Sequence, residues 1–419
     1  MSREVVVYAH WKGIQQPLKV GLLRADKVRS GEHFSFSYDT AWLTSPYAQQ
    51  IDPDLHLYSG EQHSQNDRNF RSFLDSCPDR WGRLIMQRRE AVRAQQEKRK
   101  PKKLTETDYL LGVHDMHRMG ALRFKLNENG SFLDDNSELS APPMASLREL
   151  EQAVSEVEKP GINTTPEYTK WLNMLISPGS SLGGARPKAS VIDESGELWI
   201  AKFPSRYDDY DIAAWEMLVY KLAIKAGVDM AECDIKLLNS HQHTFLTKRF
   251  DRQPGERLHF SSAMTQLAYF DGEEGASYLE LAEFLIENGA NTKADLAQLW
   301  RRIVFYIAVS NTDDHLRNHG FIHTAKGWIL SPAYDINPVP DGSGLHLNID
   351  EIDNQLDFEL AFSVIDYFQL NRESAEAIYQ EVVQAVEQWR DIAKELKISR
   401  QEQEMMAPAF MVKRLSTSN

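Results

Sequence analysis

The sequence predicts an α+β protein built in three parts: a β-rich N-terminal module, a small α+β lobe and a helical C-terminal lobe. Three observations carry this. Residues 4–10 form a Val-rich, aromatic-flanked run and residues 34–38 alternate apolar with polar, both patterns of strands. Residues 189–192 and 198–203 are short β-type runs around Glu194-Ser195-Gly196, a hairpin signature, and an amphipathic helix over 211–226 comes next, stopped at Gly227. Beyond about residue 275 helical periodicity dominates, over 279–288, 293–310 and 375–396. At 419 residues the chain is too long for one ordinary core. The expected divisions are 1–160, 161–252 and 253–419.

Residues 70–92 read as helical but divided by Pro78, so Asp79-Arg80-Trp81-Gly82-Arg83 opens a second helix. Residues 88–103 are strongly basic, and we read them as a solvated helix face running into a loop at Pro101 rather than a nucleic-acid contact. Residues 127–146, rich in Asn, Asp, Ser and Pro, mark a loop. Leu147, Leu150, Val154 and Val157 have helical spacing, and 158–166 is a further break. Residues 235–238 and 244–247 read as strands.

Composition narrows the class. A formal charge of −14 argues against indiscriminate binding to nucleic acid. Two distant cysteines, Cys77 and Cys233, form neither a disulfide framework nor a zinc pattern and fit a reducing, cytoplasmic setting. The N-terminus places Arg3 and Glu4 before a short apolar run, unlike a signal peptide, and no apolar run is long enough to span a bilayer. No membrane partner is expected.

Three constellations carry chemistry. In the first, Ser180, Ser181, Gly183 and Gly184 belong to a Gly/Ser-rich stretch ending at Lys188, just before a strand. Glycines let backbone amides approach an anion, although such a loop taken alone is more often a plain turn. The pattern is not that of a Walker loop. In the second, Lys202 ends a strand and Glu216 lies in the next helix. Protein kinases aim an ammonium at nucleotide phosphates with such a pair, while most Lys–Glu pairs are merely exposed and weak. The third is Asn311-Thr312-Asp313-Asp314-His315-Leu316-Arg317-Asn318, with Tyr334-Asp335 downstream. Asp313 and Asn318 have the D-x-x-x-x-N spacing of kinase catalytic loops, and a lone downstream carboxylate belongs to the same scheme. Asp313 would meet the attacking hydroxyl, Asn318 and Asp335 would hold Mg2+, and His315 can donate to a phosphate oxygen. The bland alternative is a pair of capping aspartates at a helix end. The ordered combination favours ATP-dependent phosphoryl transfer.

These residues also carry a resemblance. Residues 180–188, Lys248-Arg249-Phe250-Asp251-Arg252, residues 311–318 and Leu330-Ser331-Pro332-Ala333-Tyr334-Asp335-Ile336 together resemble the HipA family of serine/threonine kinase toxins. Residues 36–39, 78–83 and 118–124 look like that family's N-terminal module. The resemblance implies a bilobal protein-kinase-like fold with an all-helical C-terminal lobe, and ATP and Mg2+ as cofactors. It implies that Lys248 and Phe250 meet adenine through backbone groups, although the family more often has Glu at position 248. It assigns autophosphorylation to Ser181, with Ser180 as a second candidate, and inhibition as the outcome, since a phosphate there adds about −2 of charge beside the nucleotide. Gln266 resembles a polar residue near the site, and Ser262-Ala263 replaces an acidic pair seen in some members. The partners implied are a helix-turn-helix antitoxin, DNA only through it, and a protein substrate such as an aminoacyl-tRNA synthetase or another translation factor. Two rivals are a catalytically weak corepressor that acts by binding the antitoxin, and a small-molecule or lipid kinase.

Overall fold

The computed structural model describes residues 2–29, 31–133, 141–161, 165–175, 184–410 and 412. By packing, the chain divides into two compact units. Unit 1 comprises residues 1–206 with 251–261, and unit 2 comprises 207–250 with 262–419.

Unit 1 is built on a five-stranded antiparallel sheet. Its strands are β1 (Ser2–Ala9), β2 (Leu18–Lys27), β3 (Glu32–Tyr38), β4 (Glu61–His63) and β5 (Leu122–Lys125), in the order β4-β3-β2-β1-β5. Alternation decides which face is buried. Val5, Val7 and Ala9 of β1 fall on one side with Leu23, Ala25, Phe34 and Phe36, and pack into a core with Phe70, Phe73 and Phe124. A bulge between Val7 and Tyr8 shifts the β1–β2 register. β2 went unread in the sequence because its polar residues interrupt the apolar run. At Gly21 within it, an added Cβ would lie 2.2 Å from the Ser37 carbonyl oxygen, so no larger residue fits.

The break at Pro78 is where the sequence places it. A short helix, Arg71–Leu74, precedes it and the helix Arg80–Gln96 comes after it. Asp79 caps the latter, accepting the Gly82 N–H at 2.8 Å. Its other oxygen receives Lys188 Nζ at 2.8 Å, and Trp81 Nε1 donates to the Lys188 carbonyl at 3.1 Å. These contacts fix the start of β6 (Lys188–Ile192), which pairs with β7 (Leu198–Lys202) in the expected hairpin. The helix Leu147–Glu158 agrees with its periodicity, whereas the helix Pro166–Leu175 was not anticipated. The second segment of unit 1 is tied in by buried charge. Asp251 accepts the Gly120 N–H at 2.7 Å, Arg252 donates to the Arg118 carbonyl at 2.6 Å, and Arg257 reaches Asp115 at 2.8 Å. Gly120 has φ +72°, which favours glycine there.

Unit 2 begins with the helix Ile212–Lys225 and the antiparallel pair β8 (Cys233–Leu237) and β9 (His243–Lys248). The helices Tyr278–Asn288 and Thr292–Val309 come next, then a hairpin of Gly320–Thr324 with Gly327–Leu330. Between this hairpin and the helix Phe358–Ser363 the backbone carries only isolated bridges, among them Ser277 with Asn348. The helix expected over 375–396 is two, Arg372–Val386 and Trp389–Glu395, parted by a turn at Glu387 and Gln388. The turn lets Trp389 stack on Phe410, with centroids 4.5 Å apart. The helix Thr292–Val309 is the axis of this unit. Leu296, Leu299, Trp300, Ile303, Val304 and Ile307 are wholly buried, so its C-terminal end is a rigid support for the loop at 311–318. Among the described residues, no helix is long and apolar enough to cross a membrane.

Candidate active site

The helix Thr292–Val309 ends at Ser310, a left-handed residue with φ +51°, which turns the chain into Asn311–Asn318. The two adjacent aspartates then part. Asp313 is exposed, while Asp314 is fully buried. Asp314 accepts the Tyr278 hydroxyl on one oxygen and lies 2.8 Å from His319 Nε2 with the other. Burial and the Asp314 carboxylate push the Tyr278 phenol far up, so it remains a neutral donor. Asp314 is thus an anchor, and the carboxylate it leaves in solvent is Asp313.

The rest of the loop is braced internally. His315 N–H donates to the Asp313 carbonyl at 3.1 Å, and Asn318 N–H to the His315 carbonyl at 2.7 Å. Asn318 Nδ2 donates to the Asp313 carbonyl at 2.9 Å, which leaves Oδ1 buried and without a hydrogen-bond partner. Burial first, then Arg317, pulls the His315 pKa down, opposed by Asp313, Asp335 and Asp314. A neutral His315 with its Nδ1 buried and unpartnered can still share one proton, as the sequence reading requires.

Asp335 is brought to this loop by three hydrogen bonds. Tyr334 Oη donates to the Arg317 carbonyl at 2.8 Å, Asn337 N–H to Asn311 Oδ1 at 3.0 Å, and Val339 N–H to the Ser310 carbonyl at 3.1 Å. Asp335 itself has φ +58°, an uncommon backbone for a non-glycine residue and one that clusters at functional sites. Behind it, Arg302 Nη2 donates to the Ser331 carbonyl at 2.6 Å and Asp295 accepts the Leu330 N–H at 3.1 Å. Buried groups therefore set the path of the strand that delivers Asp335. The donor set suits Mg2+, which takes oxygen ligands: a bare amide oxygen at Asn318 and a carboxylate at Asp335.

The other candidate residues are dispersed over both units. In unit 2, Glu216 is buried in the helix Ile212–Lys225. Lys248 ends β9, its N–H donating to the Glu232 carbonyl at 2.8 Å and its ammonium 3.4 Å from the Glu232 carboxylate. Phe250 stacks on Tyr334, with centroids 5.5 Å apart, next to Asp335. Gln266 closes the short helix Ala263–Gln266, which Ser262 caps through the Thr265 N–H at 3.1 Å. In unit 1, Lys202 is buried at the end of β7. Lys188 is buried, with its ammonium on Asp79 and on the Gly184 carbonyl, both at 2.8 Å. Here that charge holds the helix Arg80–Gln96 and the end of the Gly/Ser stretch together. Ser180, Ser181 and Gly183 lie outside the described residues.

The sequence reading missed Asp314, Tyr278, His319 and Asn337 as parts of this arrangement. For Asp314 the signal was present, since two adjacent aspartates at a helix end rarely share one environment. Asn337 stands two residues beyond Asp335, a spacing that let its amide reach back to the carboxylate. Tyr278 and His319 are remote in sequence and carry no such signal.

Comparison with known proteins bears on the family and the fold. Residues 180–390, just over half of the chain, match the model of the HipA-like C-terminal domain, and the chain belongs to that family. It is 25% identical over 189 residues to a provisionally named kinase of Haemophilus influenzae, covering 39% of this chain and 54% of that protein. It is 28% identical over 157 residues to the provisionally named kinase Y4dM of Sinorhizobium fredii, covering 34% of this chain and 37% of that one. The chain thus spans about half or less of the length of these curated relatives. Its fold is similar to that of a chain in the Shewanella oneidensis MR-1 toxin–antitoxin complex of HipA, HipB and operator DNA. The TM-score is 0.65 at 18% identity, covering 97% of this chain and 94% of the other.

Proposed function

We propose that this protein is an ATP- and Mg2+-dependent serine/threonine protein kinase, acting in the cytoplasm as the growth-inhibiting toxin of a toxin–antitoxin pair. The observation that carries the reading is the split at Asp313-Asp314, beside the bare Asn318 oxygen and the left-handed Asp335. A buried, hydrogen-bonded carboxylate fixes the loop, and its neighbour is left exposed where a hydroxyl can approach.

In this reading the segments 161–252 and 253–419 act as nucleotide and catalytic lobes, after an N-terminal module over 1–160. Lys202, Glu216, Lys188, Gly184 and the Gly/Ser stretch serve the phosphates, and backbone groups at Lys248 and Phe250 meet adenine. Magnesium, when bound, neutralises charge on the phosphate oxygens. Asn318 and Asp335 would hold it. Asp313 orients the attacking hydroxyl and takes its proton. His315 donates to a phosphate oxygen. The hydroxyl oxygen forms a bond to the γ-phosphorus as the bond to the β-phosphate oxygen breaks and ADP leaves. With Ser181 or Ser180 as the nucleophile, the product adds charge beside the nucleotide and switches the enzyme off.

A second reading is a corepressor with weak catalysis. It is favoured by the Shewanella HipA fold relative, whose structure includes HipB and operator DNA. Both readings give this chain a helix-turn-helix antitoxin as partner, and the first adds a translation factor such as an aminoacyl-tRNA synthetase as substrate. Intact-mass and peptide mass spectrometry after incubation with Mg2+ and ATP tests them. We expect one added phosphate on the peptide containing Ser180 and Ser181, absent in Asp313→Gln. A wild-type protein that binds ATP yet labels neither itself nor any lysate protein would sink the kinase reading.

A further inference from the structure

We propose that Asn337 is a third oxygen donor to the divalent cation, completing with Asn318 and Asp335 a site of two amide oxygens and a carboxylate. The inference rests on the phosphoryl-transfer reading above, which supplies the need for a cation. It is carried by an asymmetry in the buried polar atoms. Among the described residues, buried side-chain atoms without a hydrogen-bond partner are nitrogens or hydroxyls in every case but two. The two are Asn318 Oδ1 and Asn337 Oδ1. A hydroxyl can rotate to donate or accept, but an amide oxygen only accepts. Both bare acceptors lie in the one junction where residues 310–318 meet residues 334–339.

Their orientation is set by their partners rather than by a choice of amide flip. Asn318 Nδ2 donates to the Asp313 carbonyl at 2.9 Å, and Asn337 Nδ2 reaches Asp335 Oδ1 at 3.4 Å. Turning either amide over would set oxygen against oxygen. Each amide is therefore held by an aspartate of the site through its nitrogen, which leaves its oxygen without a hydrogen-bond partner. The Asn337 backbone is pinned as well, by its N–H on Asn311 Oδ1 at 3.0 Å. Among the described residues, no group of three or more His, Cys, Asp or Glu can hold a metal ion. A cation site at this junction draws instead on amides, and an all-oxygen set suits Mg2+ or Mn2+ over softer metals.

The test is binding of Mn2+ alone to the full chain, monitored by the EPR signal of the free ion, with thermal unfolding as a check on folding. Asn337→Leu should weaken Mn2+ binding on the order of tenfold, as loss of a ligand or its support does. Asn337→Asp, which restores an oxygen donor and adds charge, should bind at least as tightly as wild type. Wild-type affinity in Asn337→Leu would overturn the inference, and so would an Asn337→Asp variant as weak as Asn337→Leu. Asp335→Asn separates the two claims. If it binds Mn2+ like wild type, or if wild type binds none, the phosphoryl-transfer reading fails together with the inference. If Asp335→Asn is weakened, the Asn337 variants judge the inference alone.

Discussion

The two units treat charge in opposite ways. Unit 1 carries 30 Lys and Arg against 29 Asp and Glu, a net +1, while unit 2 carries 17 against 32, a net −15. The whole of the chain's −14 therefore comes from the helical unit. In unit 1 several buried acids are met by cations: Asp79 by Lys188 at 2.8 Å, Asp115 by Arg123 at 2.6 Å, Asp251 by Arg252 at 2.6 Å. In unit 2 the buried Asp314 is met by a phenol and an imidazole, and two amide oxygens nearby are met by nothing. Unit 1 uses its charges to hold itself together. Unit 2 leaves two amide oxygens without a hydrogen-bond partner at one loop junction, where we propose that a divalent cation binds.

Each side of that comparison can be broken separately. The largest expected loss of stability is in unit 1. Asp79→Ala leaves the Lys188 ammonium buried without its carboxylate and should cost about 3–5 kcal/mol in denaturant unfolding. Asp79→Leu combined with Lys188→Met should recover most of this, because removing both charges is far less costly than removing one. A single variant as stable as wild type would show that the pair does not hold the helix Arg80–Gln96.

In unit 2, Asp314→Ala strips the Tyr278 hydroxyl of its acceptor and His319 of its partner. It should cost about 1–3 kcal/mol for each group left unsatisfied, read by the same unfolding experiment. Tyr278→Phe in that background should add little further loss, since the partner is already gone. Additive losses would contradict the assignment of Asp314 as their shared anchor.

A further effect, seen only on acidification, is a pH dependence. Burial lowers the His323 pKa in the hairpin of unit 2 from 6.5 to about 4. The unfolded chain then binds the proton first, so stability is full above pH 6.5 and falls as pH drops towards 4. His323→Phe should flatten this part of the profile, measured as the unfolding midpoint against pH. An unchanged slope would assign it to other groups.

Much of this was legible in the residues. The break at Pro78, the hairpin around Gly196 and the helices of unit 2 come from local chemistry: a ring that cannot donate, a glycine at φ +81°, apolar stripes at helical spacing. The candidate loop over 311–318 was legible for the same reason, because its residues are consecutive. What was not legible depends on pairs distant in sequence. Lys188 reads as a phosphate residue from its own loop, and nothing local in the sequence announces Asp79, from another element, 2.8 Å from its ammonium. Asp313 and Asp314 are equivalent on paper, and only Tyr278 and His319 tell them apart. The amide of Asn337 acquires meaning only from the bond that commits its nitrogen to Asp335 and leaves its oxygen bare.

The central claim is that the junction of residues 310–318 with 334–339 transfers phosphate from ATP. Release of ADP from ATP by the purified full chain tests it most directly, with Mg2+ or with EDTA, in wild type and in Asp313→Asn. The account predicts release only with Mg2+, reduced on the order of 10²–10⁴-fold in Asp313→Asn. Because Asp313 is exposed, the unfolding temperature should stay unchanged. Release that persists in EDTA, or that Asp313→Asn leaves at the wild-type rate, would contradict it.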